Sequence, residues 1–309
     1  MEIEKKSTRD GLGDSLLELG ENPDIVVLSA DLTESVRVDK FAKKFPNRFI
    51  QTGIAEQNMA SIAAGLSLCN KIPFITSHAA FSPSRNWDQI RVSICMSGEN
   101  GANVKIASTH SGFSNAPDGQ TAEALEDIAL MRVLPKMTVI SPIDYYQTIK
   151  AVSEAVKYKG PVYIRLSKTD TECITSEKDD FQIGKTYVLR KGSAITVLCT
   201  GVITAEVLKA MEMLDKDIEL IACPTIKPLD AETILKSISK TGKVLTVEEH
   251  QLSGGFGSAV LEMLNEHKVP MTITRLGVND AFGVSGSYED LLQKFCLDSK
   301  SIAEKIKAL

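Results

Sequence analysis

The sequence predicts an α/β protein of two doubly wound domains, in which helices cover both faces of mostly parallel sheets. Short apolar runs of strand length alternate with amphipathic helical patterns along the chain. The composition turns polar and acidic over residues 168–184, as is typical of a connection between domains. A chain of 309 residues with 43% hydrophobic composition is long enough for two cores. We therefore place the domains at residues 1–170 and 185–309.

The first domain is predicted to contain five buried strands with helices between them. Its first helix should begin at Ser7, because Ser7 and Asp10 have capping-box spacing, and it should end at Gly20. A later helix places Met59 and Leu66 on one apolar face. The predicted strands are near-continuous apolar runs at residues 25–29, 72–76, 104–108, 138–141 and 162–167.

The second domain shows the same alternation after residue 184. Its helices should begin near Thr204, Asp230, Gly255 and Tyr288. Its predicted strands lie at residues 194–199, 218–223, 243–247 and 271–275.

Bulk properties argue against several classes of function. The net charge of −5 disfavours binding to nucleic acid, whose backbone selects basic surfaces. The six cysteines have neither a C-x-x-C pair nor zinc-ligand spacing, and no apolar run is long enough to span a bilayer. We expect a soluble protein of the reducing cytoplasm that contacts neither membranes nor nucleic acid.

Polar residues concentrate in three loops, at residues 31–35, 53–58 and 110–121. The first and third of these loops follow predicted strands, and ligands of α/β proteins bind outside the carboxyl ends of parallel strands. These loops belong to a longer series of motifs, in the order QTGIAEQNMASIAAGLSL, WDQIRVS, HSGFSNAPDGQTAEALEDIALMR, TIKPLD, VEEH and LGVNDAFGVSG. The series resembles the pyrimidine-binding and C-terminal domains of transketolases, and it covers essentially the whole chain.

This resemblance implies transfer of a two-carbon ketol unit from a ketose phosphate to an aldose phosphate, with thiamine diphosphate as coenzyme. Transketolases bind the diphosphate and its Mg²⁺ or Ca²⁺ ion in an N-terminal domain with a GDG motif, which this sequence lacks. We therefore expect a partner subunit that carries that domain and the metal ligands, and the family pattern implies an α2β2 assembly of the two chains. No metal ligand is predicted in this chain.

Glu56 is the leading catalytic candidate. A carboxylic acid hydrogen-bonded to N1′ of the aminopyrimidine promotes the imino tautomer that removes the C2 proton of the thiazolium ring. Such an acid must be shielded by apolar neighbours, and Ile54, Ala55, Met59 and Ala60 are the expected shield. A glutamate placed at a helix N-terminus to stabilise its dipole is the alternative.

The resemblance assigns further residues to the coenzyme. Phe81, Arg85 and Trp87 lie where the family holds the aminopyrimidine, and Asp31 corresponds to a position beside the cofactor. One residue more than in the commoner family pattern separates Phe81 from Arg85. Trp87 also fits an ordinary core stripe with Ile90 and Ile94, so which side chain stacks stays open.

The resemblance also implies a set of sugar and phosphate contacts. His110 is a second catalytic candidate, and with Asp118, eight residues later, it should contact the sugar. Arg9, Ser35 and Lys168 match positions that hold the terminal phosphate through charge-assisted hydrogen bonds. Arg9 as a surface residue and Ser35 as a turn former are the alternatives.

Two residues depart from the family pattern. Ala122 stands where a hydrogen-bonding side chain is usual, and Lys168 replaces an arginine with a point charge. These differences favour a substrate other than the usual pentose phosphates, such as another sugar phosphate or a sulfonated or deoxy sugar. Two other functions stay open: the β subunit of a 2-oxoacid dehydrogenase E1 component, and a non-catalytic regulatory relative.

Overall fold

The computed structural model describes residues 4–309, so the first three residues of the predicted first domain lie outside the described part. The chain forms a seven-stranded sheet, a five-stranded sheet and a two-stranded pairing. In that pairing, β1 (Lys5–Lys6) runs antiparallel to β8 (Thr171–Glu172), which ties the interdomain connection to the start of the chain. The predicted α/β architecture is confirmed.

The seven-stranded sheet contains all five strands predicted for the first domain, with ends shifted by no more than two residues. In chain order its strands are β2 (Ile25–Ser29), β3 (Phe49–Gln51), β4 (Ile72–His78), β5 (Lys105–Thr109), β6 (Thr138–Ile140), β7 (Val162–Arg165) and β12 (Thr225–Lys227). Their order in space is β12-β6-β7-β5-β4-β2-β3. The two edge strands, β3 and β12, are short and were not predicted. One of them, β12, comes from the second half of the chain and runs antiparallel to β6.

The five-stranded sheet has the order β14-β13-β10-β11-β9 and contains the four strands predicted for the second domain. The bounds of its strands are β9 (Tyr187–Arg190), β10 (Ile195–Cys199), β11 (Ile218–Ala222), β13 (Val244–Gln251) and β14 (Ile273–Val278). Only β9 is antiparallel to its neighbour. Strand β13 extends four residues beyond its predicted end, and this extension carries buried acidic residues towards the first sheet.

Helices cover both sheets. Helix α1 begins after Ser7, whose hydroxyl accepts the N–H of Asp10, and it ends at Gly20 as predicted. Four helices of the second half start within one residue of the predicted positions. The helices are α1 (Thr8–Leu19), α2 (Asp39–Lys44), α3 (Glu56–Leu68), α4 (Trp87–Gln89, continued by a wider π-helical turn), α5 (Asp127–Arg132), α6 (Tyr145–Lys157), α7 (Thr204–Glu212), α8 (Ala231–Thr241), α9 (Phe256–Glu266), α10 (Tyr288–Lys294) and α11 (Ser299–Lys307).

A buried polar network joins the two halves. Arg165, at the end of β7, donates from Nε to Asp127 over 2.8 Å and from Nη2 to the backbone oxygen of Glu249 over 2.9 Å. The hydroxyl of Tyr163 donates to the same Asp127 oxygen over 2.7 Å. Removing one member of such a buried network typically costs about 3–5 kcal/mol, because the remaining charge is left without a partner. The network therefore fixes the loops of the first sheet against β13.

No helix within residues 4–309 combines the length and apolar character needed to cross a membrane.

Candidate active site

The candidate site lies at the carboxyl edge of the seven-stranded sheet, where several parallel strands end side by side. Strands β4 and β5 are in parallel register with His78 opposite Thr109, so the residues after them meet. The backbone N–H of Arg9 donates to the Ser167 oxygen over 3.2 Å, which brings the start of α1 to the loop after β7. Parallel strand ends thus gather residues that are far apart in sequence.

Glu56 is the first residue of α3, and its side chain is only 4% exposed. Its Oε1 atom accepts a hydrogen bond from Nη1 of Arg85 over 3.2 Å. Met59 is fully buried, as the predicted apolar shield requires, but Ile54 is 75% exposed. Ile54 precedes the helix in a loop that leaves its side chain outside, so this part of the expected shield is wrong for the isolated chain.

Arg85 also covers the ring of Phe81. Its guanidinium carbon lies 4.2 Å from the ring centroid, within the range of a cation–π contact. The backbone N–H of Arg85 donates to the Phe81 oxygen over 2.9 Å, so a helix-like turn puts both residues on one face. Lying four positions after Phe81 along this turn, Arg85 stacks on Phe81 and reaches Glu56.

Trp87 and Asp31 take different positions from this group. The indole Nε1 of Trp87 donates to the Leu130 oxygen over 2.9 Å, and the ring packs against the larger hydrophobic core. This position favours the core interpretation of Trp87. Asp31 is exposed, with a φ of 62°, and its backbone N–H donates to Oε1 of Gln51 over 2.7 Å. The predicted coenzyme roles of both residues stay predictions.

Two stacked histidines form the centre of the site, and sequence analysis identified only one of them. The rings of His78 and His110 stack with centroids 3.6 Å apart, and Phe81 stacks on His78 at 5.5 Å. Ser35 Oγ lies 2.9 Å from Nε2 of His78 and 3.3 Å from Nε2 of His110. His78 was not predicted as a site residue because β4 extends two residues past its predicted end. A polar residue at the end of a buried strand could have indicated it.

Both imidazoles are held neutral. Burial chiefly, together with the nearby charges of Lys168 and Arg9 and against that of Asp118, lowers the pKa of His78 to about 4. Burial is also the main cause that lowers the pKa of His110 to about 2, and the neighbouring His78 and Arg9 contribute. Lys168 thus influences both histidines and Asp118 influences His78, and the predicted substrate-binding roles of Asp118 and Lys168 stay predictions.

Two cations beside the histidines have unused hydrogen-bonding capacity. Nη1 of Arg9 donates to the Ser35 backbone oxygen over 2.9 Å, but the buried Nε of Arg9 has no partner among residues 4–309. Lys168 makes a long contact of 3.4 Å with Oδ1 of Asn115. Spare donors on two cations suit an anionic substrate group. Asp118 is exposed at the end of a short turn, and Ala122 is buried.

Glu249, another residue missed in the sequence, supports the loop that carries His110. Its Oε1 atom accepts the backbone N–H of Phe113, and Oε2 accepts the hydroxyl of Tyr288 over 2.9 Å. Gly112 has a φ of 62°, and a Cβ there would lie 2.3 Å from Oε1 of Glu249. Only glycine allows this close approach, so β13 and the His110 loop fit together tightly.

Two family models match the chain in sequence order. The model described as "Transketolase, pyrimidine binding domain" matches residues 4–172, and the model described as "Transketolase, C-terminal domain" matches residues 184–302. This chain belongs to the transketolase family. The predicted domain boundaries stay predictions, and one strand of the second half, β12, lies in the sheet of the first half.

Individual transketolase relatives are similar over nearly the whole chain. A putative transketolase C-terminal section from Methanocaldococcus jannaschii is 41% identical over 307 residues, which cover 97% of this chain and 95% of that protein. A 6-deoxy-6-sulfo-D-fructose transketolase subunit from Clostridium sp. strain MSTE9 is 40% identical over 306 residues, covering 98% and 94%. A solved split-gene transketolase, described as an inactive β4 tetramer, has a TM-score of 0.88 and 41% identity, covering 98% and 97%. The predicted C-terminal subunit of a split transketolase is confirmed.

Membership of the transketolase family implies thiamine diphosphate as coenzyme, and the site fits its aminopyrimidine ring. Arg85 engages Oε1 of Glu56, and no residue of the described chain hydrogen-bonds to Oε2. The guanidinium of Arg85, which like the aminopyrimidine is planar and carries N–H donors, stacks on the Phe81 ring beside Glu56. Within residues 4–309, no group of three or more His, Cys, Asp or Glu side chains is arranged to hold a metal ion.

Proposed function

We propose that this chain holds the aminopyrimidine ring and the sugar in a two-chain transketolase that moves a two-carbon ketol unit from a ketose to an aldose. The observation that carries the proposal is the buried carboxyl of Glu56 beside Phe81. Bound thiamine diphosphate supplies the carbanion chemistry of carbon–carbon bond cleavage. Glu56 holds a proton against the ring nitrogen, which a carboxyl in a water-poor site is suited to do.

The remaining residues of the site bind and orient the substrate. The neutral His78 and His110 rings lie beside Ser35 and suit the uncharged oxygens of a sugar. Arg9 and Lys168 suit an anionic terminal group, a phosphate or a sulfonate. Because Ala122 offers no hydrogen bond and Lys168 no bidentate fork, we propose a donor that differs from the usual pentose phosphates.

We further propose that a diphosphate-binding partner subunit completes the site in an α2β2 assembly. That partner would carry the ligands of the Mg²⁺ or Ca²⁺ ion. The support is the similarity of this chain, over nearly its whole length, to a 6-deoxy-6-sulfo-D-fructose transketolase subunit and to a solved split-gene transketolase.

Reconstitution tests the proposal against its two alternatives. The chain and a co-expressed diphosphate-binding subunit are assayed with thiamine diphosphate, Mg²⁺ and pairs of ketose and aldose phosphates. Ketol transfer by the complex, and none by either chain alone, is the expected result. Pyruvate-dependent acylation of a lipoyl domain would instead support a 2-oxoacid dehydrogenase. A complex that binds the coenzyme but converts no substrate of either kind would support a non-catalytic relative.

A further inference from the structure

The hydrogen bonds of His78 and His110 are connected through one hydroxyl group. Ser35 Oγ contacts Nε2 of both rings, and Nδ1 of His110 lies 2.7 Å from the hydroxyl of Thr109. Thr109 in turn donates to the Ser77 backbone oxygen over a long 3.5 Å. Both ring nitrogens of His110 are therefore engaged, and this side chain is 1% exposed.

His78 has a free ring nitrogen. Its Nε2 contacts Ser35, whereas Nδ1 has no hydrogen-bond partner in the described residues and is not completely buried. The His78 ring stacks on both His110 and Phe81, with centroid distances of 3.6 Å and 5.5 Å. Since both imidazoles are neutral, each carries one N–H and one acceptor nitrogen.

The direction of the hydrogen bonds follows from counting donors. If Thr109 donates to Ser77, His110 must donate from Nδ1 to Thr109, and its Nε2 must accept the Ser35 proton. Ser35 then accepts from Nε2–H of His78, which leaves Nδ1 of His78 as an acceptor. The reverse direction also connects the rings but leaves the Thr109–Ser77 bond unmade. Because a buried polar group favours every available bond, the first direction is preferred.

We propose that His78, and not His110, presents the free ring nitrogen of this site, and that it positions a hydroxyl of the sugar by accepting its hydrogen bond at Nδ1. His110 is a positioning residue: through the Ser35 hydroxyl it fixes the tautomer of His78. This inference rests on the proposed function, because it assigns the contact to the sugar substrate. It predicts opposite tautomers, Nε2–H for His78 and Nδ1–H for His110.

Nitrogen-15 NMR of the histidine-labelled full chain tests the tautomers without any assay of activity. The sequence contains four histidines, at positions 78, 110, 250 and 267, so single substitutions assign each ring. The expected result is an Nε2–H ring for His78 and an Nδ1–H ring for His110. In Ser35→Ala, the tautomer of His78 should no longer be fixed by His110. Two Nε2–H rings, with Ser35 accepting from both, would overturn the relay, as would Nδ1–H on His78.

Kinetics of the reconstituted complex test the contact with the sugar. His78→Phe keeps an aromatic ring that can stack on His110 and Phe81 but removes the acceptor. We expect kcat/KM for the ketose donor to fall about 10- to 100-fold, as for loss of a hydrogen bond in a buried site, with coenzyme affinity within about twofold. His78→Gln, which restores an acceptor oxygen, should recover part of the loss.

His267→Asn is the matched control, since His267 caps α9 and its Nδ1 contacts the Met263 backbone oxygen. Circular dichroism of each variant separates loss of contact from loss of fold. A folded His78→Phe complex with unchanged kcat/KM refutes the contact. A wild-type complex that transfers no ketol unit instead refutes the proposed function, and the tautomer measurement then still decides the relay.

Discussion

The guanidinium of Arg85 contacts Glu56 and Phe81 at the same time, through Nη1 at 3.2 Å from Oε1 and through its central carbon at 4.2 Å from the ring centroid. A carboxyl hydrogen bond and a stacked aromatic face are also the two contacts that an aminopyrimidine ring would make here. Arg85 is 51% exposed and can move, whereas Glu56 is buried. Binding of the coenzyme at the proposed site would therefore require displacement of Arg85 from at least one of these contacts.

Arg85→Ala should strengthen coenzyme binding to the reconstituted complex. Without the guanidinium, the coenzyme no longer competes with an ion pair, and its dissociation constant should fall about 3- to 10-fold. Isothermal titration calorimetry with thiamine diphosphate measures the change. Arg91→Ala, at an exposed position of the following helical turn, is the control. Weaker binding by Arg85→Ala would mean that Arg85 holds the coenzyme directly, as the sequence resemblance suggests.

Glu56→Gln should reduce turnover while preserving the fold. Glutamine has the same shape and can donate a hydrogen bond, but it cannot transfer a proton to a ring nitrogen, and loss of such an acid typically costs about 10²- to 10⁴-fold. Steady-state kcat at saturating coenzyme is the measurement, and Glu99→Gln on an exposed loop is the control. Turnover equal to that of the wild type would remove Glu56 from the mechanism and favour its alternative role at the helix N-terminus.

Lys168→Met should weaken recognition of an anionic substrate group. Because a charge-assisted hydrogen bond is lost, KM for a phosphorylated donor should rise about 10-fold, with little change for a donor that lacks the phosphate. Lys168→Arg should retain most of the affinity, since it keeps the charge. Lys159→Met serves as an exposed control. An equal rise in KM for both donors would argue against a phosphate contact.

Glu123→Gln should stabilise the protein at alkaline pH only. Both carboxyl oxygens of Glu123 are buried without partners in the described chain, and Oε2 lies close to the backbone of Gly283. Burial first, and then the charges of Glu249 and Glu126, raise the pKa of Glu123 to about 7. The folded state therefore binds this proton more tightly than the unfolded state, so stability falls as pH rises from about 4.5 to 7.

The penalty for the ionised Glu123 carboxyl above pH 7 is on the order of 2 kcal/mol. Thermal unfolding of Glu123→Gln should thus show a melting temperature higher by about 3–6 °C at pH 8 and nearly unchanged at pH 4.5. Glu304→Gln, at an exposed position of the C-terminal helix, should show no difference at either pH. An equal gain for Glu123→Gln at both pH values would show that its charge is not the cause.

Elements with local signals could be predicted from the amino-acid sequence. A buried parallel strand is apolar at nearly every position, so β2 and β4 were recognisable from short runs of residues. The first helix was bounded by Ser7 and Gly20 because capping is a contact within a few residues. The ordered motifs determined the family, including Glu56 at the start of α3. None of these features depends on a distant part of the chain.

Tertiary structure alone decided the contacts between segments that are distant in sequence. The three residues of strand β12 have no strand pattern of their own. They form a strand in the sheet of the first half because β6 offers an edge to pair with. His78 meets His110 through the register of β4 and β5. The side chains that surround Glu56 likewise depend on the path of the chain. Arg85 contacts the Glu56 carboxyl, whereas the side chain of Ile54 is exposed. Pairing and burial of this kind are properties of the whole fold, and local composition does not encode them.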